Sequence, residues 1–452
     1  MTIPATAIPS RPSVALQILA NLVCVSALLP FVSLLQLPGL PRTDVQLTAT
    51  IIASTVLFFL LMSALRMLTV TKTDLVLIFA GFFSLMYVDW SRTNMSIEWV
   101  RSAGQILLGL PVYYAVRNLY KFMSPMALVF TVALYFAMLL IQIFAPSLYY
   151  GVAPVILSDV RSGLAGLTQE PSQMATLAIF FILAPLIFKK DSWGKHRRAY
   201  WFVILTSTFM LVMTQSATAA FLVIVLLLVW FLALSKVRTF WKVLLLVGLL
   251  ALNRAARNVE VTANELNRAE SIALEAARNP LYAIQDRSLA MRQTGLYVGL
   301  INLPQIPFGN GSVTTDYSLA DNALRSSVMD WLARPEDWPV IYAYAMGTYE
   351  HPTLGFIGGG ISLLGQGIQR MGIFYLVIMG LLLMLIRGPR ESLLFKVLFL
   401  AFVTNGPIVM SVIWFMLGCF AAVNTAPRKM GVGKVTVGLD TKLGRQVSRS
   451  LT

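Results

Sequence analysis

The sequence predicts an all-α, polytopic integral membrane helix bundle with about twelve transmembrane helices and one large external loop. The chain has 452 residues, of which 57% are hydrophobic and only 12% are charged. An ordinary soluble domain carries roughly twice that charged share. Mostly apolar stretches recur from Val14 to Val423, and a bilayer-spanning helix needs about 20 such residues. These observations exclude an ordinary soluble domain.

The predicted spans follow one another with short polar connections. Arg11 precedes a long apolar run, so this run is interpreted as a first span and not as a cleaved signal peptide. Span 241–253 is short, and we expect it to continue as helix into the next segment or to thin the bilayer locally. The spans cover residues 14–37, 47–65, 73–88, 105–120, 125–146, 173–188, 200–214, 218–234, 241–253, 371–387, 393–405 and 407–424.

The lysines predict the orientation of the bundle. One topology places every lysine on a single side, which the positive-inside rule identifies as the cytoplasm, together with both termini. The formal net charge of +15 therefore belongs to the cytosolic face and its anionic lipids, and it does not indicate nucleic-acid binding. The lysines are Lys72, Lys121, Lys189, Lys190, Lys195, Lys236, Lys242, Lys396, Lys429, Lys434 and Lys442.

The same topology divides the chain into four parts. Residues 1–253 hold the first nine predicted helices, and residues 254–352 form the large external loop with amphipathic helices. Residues 353–424 contain a glycine-rich, re-entrant segment and the last three helices, and residues 425–452 form a basic cytoplasmic tail. The loop has eight arginines, eleven acids and no lysine, a formal charge of 8 − 11 = −3. Thr262 and Glu265 have the spacing of a capping box that opens one of its helices.

A candidate site lies in "RSGLAGLTQEPSQMATLAIFF", Arg161 to Phe181. Arg161 and Glu170 precede the sixth predicted span and face the same compartment as the large loop. The planar guanidinium group suits bidentate binding of phosphate or diphosphate. Alternatively, the arginines contact lipid headgroups or pair with the acids of the loop. Glu170, just ahead of Pro171, is alternatively an acid placed at a helix N-terminus by the helix dipole.

Three segments resemble bacterial polysaccharide polymerases of the Wzy type. They are the stretch from Arg161, "LVMTQSATAAFLVIVLLLVWF" and "RSLAMRQTGLYVGLINLPQIPFGNGS", and the resemblance covers about residues 155–390. The superfamily also contains O-antigen ligases. Their motif is a histidine followed by Asn, Ser or Gln, then nine residues, and then Gly-x-x-Gly/Thr/Tyr. In "ISLLGQGIQRMGIFY" the Ser362, Gly372 and Tyr375 positions match, but Ile361 occupies the place of the histidine. The ligase reading is therefore weaker.

The resemblance implies a GT-C-like fold and an inverting glycosyltransferase on the periplasmic face of a bacterial inner membrane. The implied substrate is a growing glycan on undecaprenyl diphosphate, which is transferred to a lipid-linked repeat unit without a cofactor or metal. The implied partners are this lipid-linked oligosaccharide, membrane lipids and a chain-length regulator, with no nucleic acid. The implied catalytic residues are Glu170 and Arg161, and the diphosphate-binding residues are Arg287, Arg292 and Arg325. His351 substitutes for the missing histidine only if the chain folds back.

Two alternatives stay open beside the polymerase. One is an O-antigen ligase that transfers glycan to the lipid A core. The other is a flippase or transporter of lipid-linked oligosaccharides, for which a twelve-span bundle is equally natural. A flippase is expected to carry charges within many spans and an internal two-fold repeat. The single dominant loop and the nearly uncharged spans favour the enzyme.

Overall fold

The computed structural model places the chain in the all-α class, as predicted. It describes residues 14–29, 71–86, 105–152, 164–168, 171–235, 299–300, 302–309, 350–351, 355–356, 363–388, 390–405 and 411–425. The described α-helices are α1 (Val14–Leu28), α2 (Lys72–Met86), α3 (Gln105–Leu119), α4 (Pro125–Phe144), α5 (Pro146–Val152), α6 (Pro171–Leu183), α7 (Arg197–Met213), α8 (Ala217–Val229), α9 (Leu363–Met371), α10 (Ile373–Leu385), α11 (Ser392–Asn405) and α12 (Ser411–Thr425).

A short antiparallel hairpin is the exception to the helical pattern in the described ranges. Strand β1 (Glu350–His351) pairs with strand β2 (Gly355–Phe356). In the register, Glu350 lies opposite Phe356 and His351 opposite Gly355. The predicted boundary between the external loop and the glycine-rich segment, at residues 352 and 353, falls between strands β1 and β2 in the sequence.

Proline and its neighbours set the bounds of the long helix α4. Pro125 occupies its first turn, where a missing N–H costs nothing, and the Ser124 side chain accepts the N–H of Met126 at 3.2 Å. The predicted span runs to residue 146, but α4 ends at Phe144 and Pro146 opens α5. Proline has no N–H to continue the hydrogen-bond ladder, so the chain restarts there as a new helix.

Helix α6 also ends earlier than its predicted span. The span was expected to reach residue 188, but α6 ends at Leu183 and passes into a 3-10 turn, Ala184–Leu186. Pro185 lies inside this turn and again removes a backbone donor. Helix α8 similarly passes into a π-helical turn, Trp230–Leu234, within the predicted span 218–234.

Helix α4 is the one described helix that is long and apolar enough to cross a membrane, with 20 residues and a mean hydropathy of 2.4. Shorter apolar helices of 10–17 residues are Val14–Leu28, Pro171–Leu186, Leu222–Leu234, Ile373–Leu385, Ser392–Val403 and Ser411–Asn424. The predicted spans 47–65 and 241–253 and the predicted loop helix after Thr262 lie outside the described ranges. The twelve-span arrangement therefore stays a prediction.

Helices α3 and α12 pack closely because glycines face large side chains across their contact. A Cβ atom built on Gly109 would lie 1.8 Å from Nε1 of the buried Trp414. On the other helix, a Cβ on Gly418 would lie 2.8 Å from Cβ of Val116. Small residues let helix backbones approach one another in this way.

Helix α6 forms the centre of the bundle. Its residues from Met174 to Phe181 are all buried, and it packs against α7, α8 and α11. The Phe180 ring lies 6.2 Å from the ring of Phe402 and 6.3 Å from that of Phe415, both in edge-on geometry. Aromatic pairs favour this arrangement, so the helix that follows Glu170 in sequence is held on several sides.

The contacts between helix ends define two ends of the bundle. We call one the lysine end, because Lys72 begins α2, and Lys121, Lys189 and Lys190 follow α3 and α6 there. Lys189 Nζ donates to the carbonyl oxygen of Lys121 at 2.9 Å, and Lys190 Nζ lies 3.7 Å from Oε1 of Glu391, ahead of α11. The N-termini of α6 and α10 lie at the opposite end, since these helices run toward the lysine end and their C-termini lie there.

Candidate functional site

The charged residues predicted for the site fall outside the part of the chain that the structure describes, with one exception. They are Arg161, Glu170, Arg287, Arg292 and Arg325, and Ile361 is among the residues that the structure leaves undescribed as well. The exception is His351, whose backbone pairs with Gly355 in the hairpin. The described segments that flank these positions show how the chain is held next to them.

Between Arg161 and Glu170 lies a buried turn, residues 164–168, which we call the 164–168 turn. Oε1 of Gln142 in α4 accepts the N–H groups of Ala165 at 3.1 Å and Gly166 at 2.9 Å. The Tyr149 hydroxyl, fully buried in α5, donates to the carbonyl oxygen of Gly166 at 2.5 Å. A buried backbone group without a partner is costly, so Gln142 and Tyr149 hold this turn inside the protein.

Gly166 is required in the 164–168 turn. Its φ of +55° lies in the left-handed region, which residues with a Cβ atom adopt at a cost. A Cβ atom there would also lie 3.3 Å from Cε of Met174, in α6. The turn thus packs directly onto the central helix.

The 164–168 turn is tied to its neighbours on both sides. The N–H of Leu164 donates to the carbonyl oxygen of Met213, at the end of α7, at 3.1 Å. The hydroxyl of buried Thr168 donates to the carbonyl oxygen of Ala165 at 2.7 Å. Helix α6 begins directly after Glu170, with buried Pro171 and Ser172. The chain is therefore fixed shortly before and directly after Glu170.

Two further described segments, residues 302–309 and 371–375, meet at the same end of the bundle as the 164–168 turn. The N–H of Ile373 donates to the carbonyl oxygen of Pro307 at 2.8 Å. The rings of Phe308 and Phe374 are stacked with their centroids 5.5 Å apart. The "IPFG" turn and the "MGIFY" segment are far apart in the sequence, and the structure joins them through backbone and ring contacts.

Gly372 makes this junction possible. Its φ is +58°, and a Cβ atom there would lie 2.0 Å from the carbonyl oxygen of Pro307 and 2.7 Å from the backbone nitrogen of Gly309. These are backbone atoms, which cannot turn aside as a flexible side chain can. Only glycine fits this position.

A buried ion pair at the lysine end was not singled out from the sequence. Nη1 of Arg117, at the end of α3, contacts Oδ2 of Asp74, and the two side chains are 4% and 0% exposed. The same nitrogen donates to the Thr71 hydroxyl at 3.3 Å. Asp74 also accepts the N–H of Thr71 at 2.5 Å. The sequence does carry a signal for this pair, because a charged residue within an apolar helix is expected to have a partner of opposite charge when it is buried.

Lys189 at the lysine end is half-buried. Its amine lies 5.2 Å from the centroid of the Tyr120 ring, and the Tyr120 hydroxyl donates to the carbonyl oxygen of Ile187 at 2.6 Å. Burial lowers the pKa of the Lys189 amine from its ordinary value, because desolvation disfavours the charged form. These contacts connect the segment after α6 to the segment after α3.

No protein-family model matches the chain, and no curated protein matches its sequence.

Proposed function

We propose that this protein is an inner-membrane polysaccharide polymerase, an inverting glycosyltransferase that uses a lipid-diphosphate donor. The observation that carries the proposal is the 164–168 turn, which Gln142 and Tyr149 hold between Arg161 and Glu170. The buried backbone of this turn needs hydrogen-bond partners from other helices, and such partners fix the chain between the two charged residues, as the preorganised charges of electrostatic catalysis require. The junction of Pro307 with Ile373, in two other polymerase-like segments, supports the same proposal.

The proposed reaction is a transfer between two lipid-linked glycans. The hydroxyl oxygen of the acceptor repeat unit attacks the anomeric carbon of the donor sugar and forms the new glycosidic bond with inversion. The bond from that carbon to the diphosphate oxygen breaks, and undecaprenyl diphosphate leaves with the electron pair. The carboxylate of Glu170 takes the acceptor proton as general base.

The arginines are proposed to stabilise the leaving group. Arg161 is placed with Glu170 at the reacting centre, while Arg287, Arg292 and Arg325 bind the diphosphate through charge-assisted, bidentate hydrogen bonds. Negative charge develops on the bridging oxygen as the bond breaks, and fixed cations act most strongly on such charge. His351 is kept as the alternative group for activating the acceptor.

We place this chain across a bacterial inner membrane with about twelve helices and both termini in the cytoplasm. Support comes from the lysine end. Lys72 lies at the start of α2, Lys121 follows the end of α3, and Lys189 and Lys190 follow the end of α6, so these lysines share one end of the bundle. Residues 254–352 then lie in the periplasm. Membrane lipids surround the bundle, and a chain-length regulator is the proposed protein partner.

The topology makes a labelling prediction. Single cysteines introduced at Ser312 and Ser192 should react with a membrane-impermeant maleimide from opposite sides, Ser312 from the periplasm and Ser192 only after the membrane is permeabilised. Native Cys24 and Cys419 are buried and should give little background. Reaction of both introduced cysteines from one side contradicts the topology and the assignment of the active face.

Purified protein supplied with lipid-linked repeat units tests the function itself. A polymerase gives a ladder of glycan lengths on undecaprenyl diphosphate. Transfer of glycan to a lipid A core in place of a ladder identifies a ligase. In the host, loss of the protein should reduce the surface glycan to single repeat units, whereas loss of a flippase leaves the repeat units on the cytoplasmic face.

The arginine assignments predict a loss of activity on conservative replacement. Arg161→Lys, Arg287→Lys and Arg292→Lys keep the charge but lose the planar fork. Loss of one charge-assisted hydrogen bond costs about 1.5–3 kcal/mol, on the order of ten- to more than a hundredfold in rate. Arg198→Lys at the exposed start of α7 is the matched control. Normal ladders from all three variants, at equal amounts of folded protein, contradict diphosphate binding by these arginines.

A further inference from the structure

A cavity of about 390 Å³ lies at the lysine end, between the N-terminus of α2 and the C-termini of α3, α10 and α12. Cations from three separate segments line it, namely Lys72, Arg117 and Arg387. Nothing in the proposed glycosyl transfer uses this cavity, since α6 and α10 begin at the other end of the bundle. Its volume is that of a small-ligand pocket.

Arg117 is the fixed cation of this cavity. Its Nη1 is held by Asp74 and by the Thr71 hydroxyl, and its guanidinium carbon lies 5.3 Å from the centroid of the Tyr114 ring. These contacts hold the guanidinium in one place at the cavity wall, so its position is preorganised. Binding to a preorganised group costs less conformational entropy.

The cavity has an excess of positive charge. Three cations and the carboxylate of Asp74, which lies behind Arg117, give a formal charge of 3 − 1 = +2. Lys72 and Arg387 are exposed, and Nε of Arg387 donates to the carbonyl oxygen of Met384 at 2.5 Å, which holds this guanidinium group beside the end of α10. The first turn of α2, from Thr71 to Thr73, also lines the cavity, and a helix N-terminus adds partial positive charge. The charge therefore favours an anion.

Much of the cavity wall is apolar. Leu77 of α2, Leu381 and Leu385 of α10 and Ala421 of α12 contribute to it. A free inorganic anion gains nothing from such a surface, whereas the glycerol and first acyl carbons of a lipid bury apolar area against it. The cavity thus offers cations for a phosphate group and an apolar wall for what is attached to it.

We infer that Lys72, Arg117 and Arg387 bind the phosphate group of an anionic phospholipid at the cytosolic face. The inference rests on the proposed placement of the chain in a membrane. Basic pockets between helices on this side of a membrane suit anionic headgroups. The bound lipid bridges α2, α3, α10 and α12 and so holds together the end of the bundle opposite the proposed active face.

Native mass spectrometry of the full-length protein in detergent tests the inference, with dioctanoyl phosphatidylglycerol as the probe. We expect the double variant Lys72→Gln/Arg387→Gln to bind this lipid roughly 25-fold more weakly, a factor of about five for each cation lost. Both residues are exposed, so the fold should survive, and Arg117 with its partner Asp74 stays intact. Lys195→Gln/Arg198→Gln, also exposed at the lysine end, is the matched control and should bind normally.

Two further probes distinguish the ligand classes. Dioctanoyl phosphatidylcholine, which has no net charge, and inorganic phosphate, which has no apolar part, should both bind more weakly than the anionic lipid. Equal binding of the anionic lipid by wild type and the Lys72/Arg387 variant overturns the inference, and so does phosphate that binds as tightly as the lipid. The measurement needs no glycan. A chain that binds the lipid through these residues but makes no polymer contradicts only the proposed function.

Discussion

Glu170→Gln is expected to slow polymer growth about 10²–10⁴-fold, the usual contribution of a general base. Glutamine is nearly isosteric with glutamate but cannot take the acceptor proton at neutral pH. The described neighbours on both sides, Thr168 and Pro171, are buried, so the backbone position of the site should survive the change. The measurement is the ladder of glycan lengths made by purified protein from lipid-linked repeat units.

Two controls accompany the Glu170 variant. Glu391→Gln removes a carboxylate at the lysine end, where Glu391 contacts Lys190, and should leave the ladder unchanged. Ile361→Ala should also leave growth largely intact, because an isoleucine neither accepts nor donates a proton. Donor binding by the Glu170 variant should persist. A full ladder from Glu170→Gln restricts Glu170 to a structural role at the start of α6.

Apolar runs in the sequence were sufficient to predict the described helices apart from α5 and α9, which lie almost entirely outside the predicted spans. Segments of twenty or so apolar residues are costly to build in any other conformation once they are removed from water, so helix was the expected state around α4, α6 and α12. The exact ends were less predictable. Pro146 and Pro185 were visible in the sequence, and each ends or alters a helix inside a predicted span.

The charged and glycine-containing stretch around Arg161 and Glu170 was singled out from the sequence, and its role as a site stays a prediction. The residues that hold it were missed. Gln142 lies 23 residues before its partner Ala165, and no local pattern connects them. A polar side chain within an apolar helix nevertheless predicts that the side chain has a hydrogen-bond partner. The sequence therefore identifies Gln142 as a residue that needs a partner, but it does not indicate which residue that partner is.

The ion pair of Asp74 with Arg117 has the same character. Parity of the predicted spans places both residues at the same end of the bundle, but their pairing depends on which helices are neighbours. Helix adjacency is a tertiary property that hydropathy does not encode. The contact between Pro307 and Ile373 is similar, since it depends on a glycine conformation at Gly372 that the sequence permits but does not dictate.

Gly372→Ala, between α9 and α10, is expected to have the largest effect on stability among the described glycines of residues 363–385. A non-glycine residue at a φ of +58° is strained by about 1–3 kcal/mol. Its Cβ atom would also lie 2.0 Å from the carbonyl oxygen of Pro307, and overpacking of this kind costs roughly 1–3 kcal/mol more. The turn that contains Pro307 must then separate from the start of α10.

Gly380→Ala, inside the helix α10 that Gly372 precedes, is the matched control. A Cβ atom at Gly380 meets nothing within 4 Å, and alanine is favoured over glycine inside a helix by about 0.5–1 kcal/mol. Titration with sodium dodecyl sulfate in detergent micelles should therefore show a clear loss of stability for Gly372→Ala and no loss for Gly380→Ala. Equal unfolding of the two variants would mean that Pro307 and Ile373 do not form a rigid junction. The "IPFG" turn and the "MGIFY" segment would then be held together by something other than the Gly372 backbone.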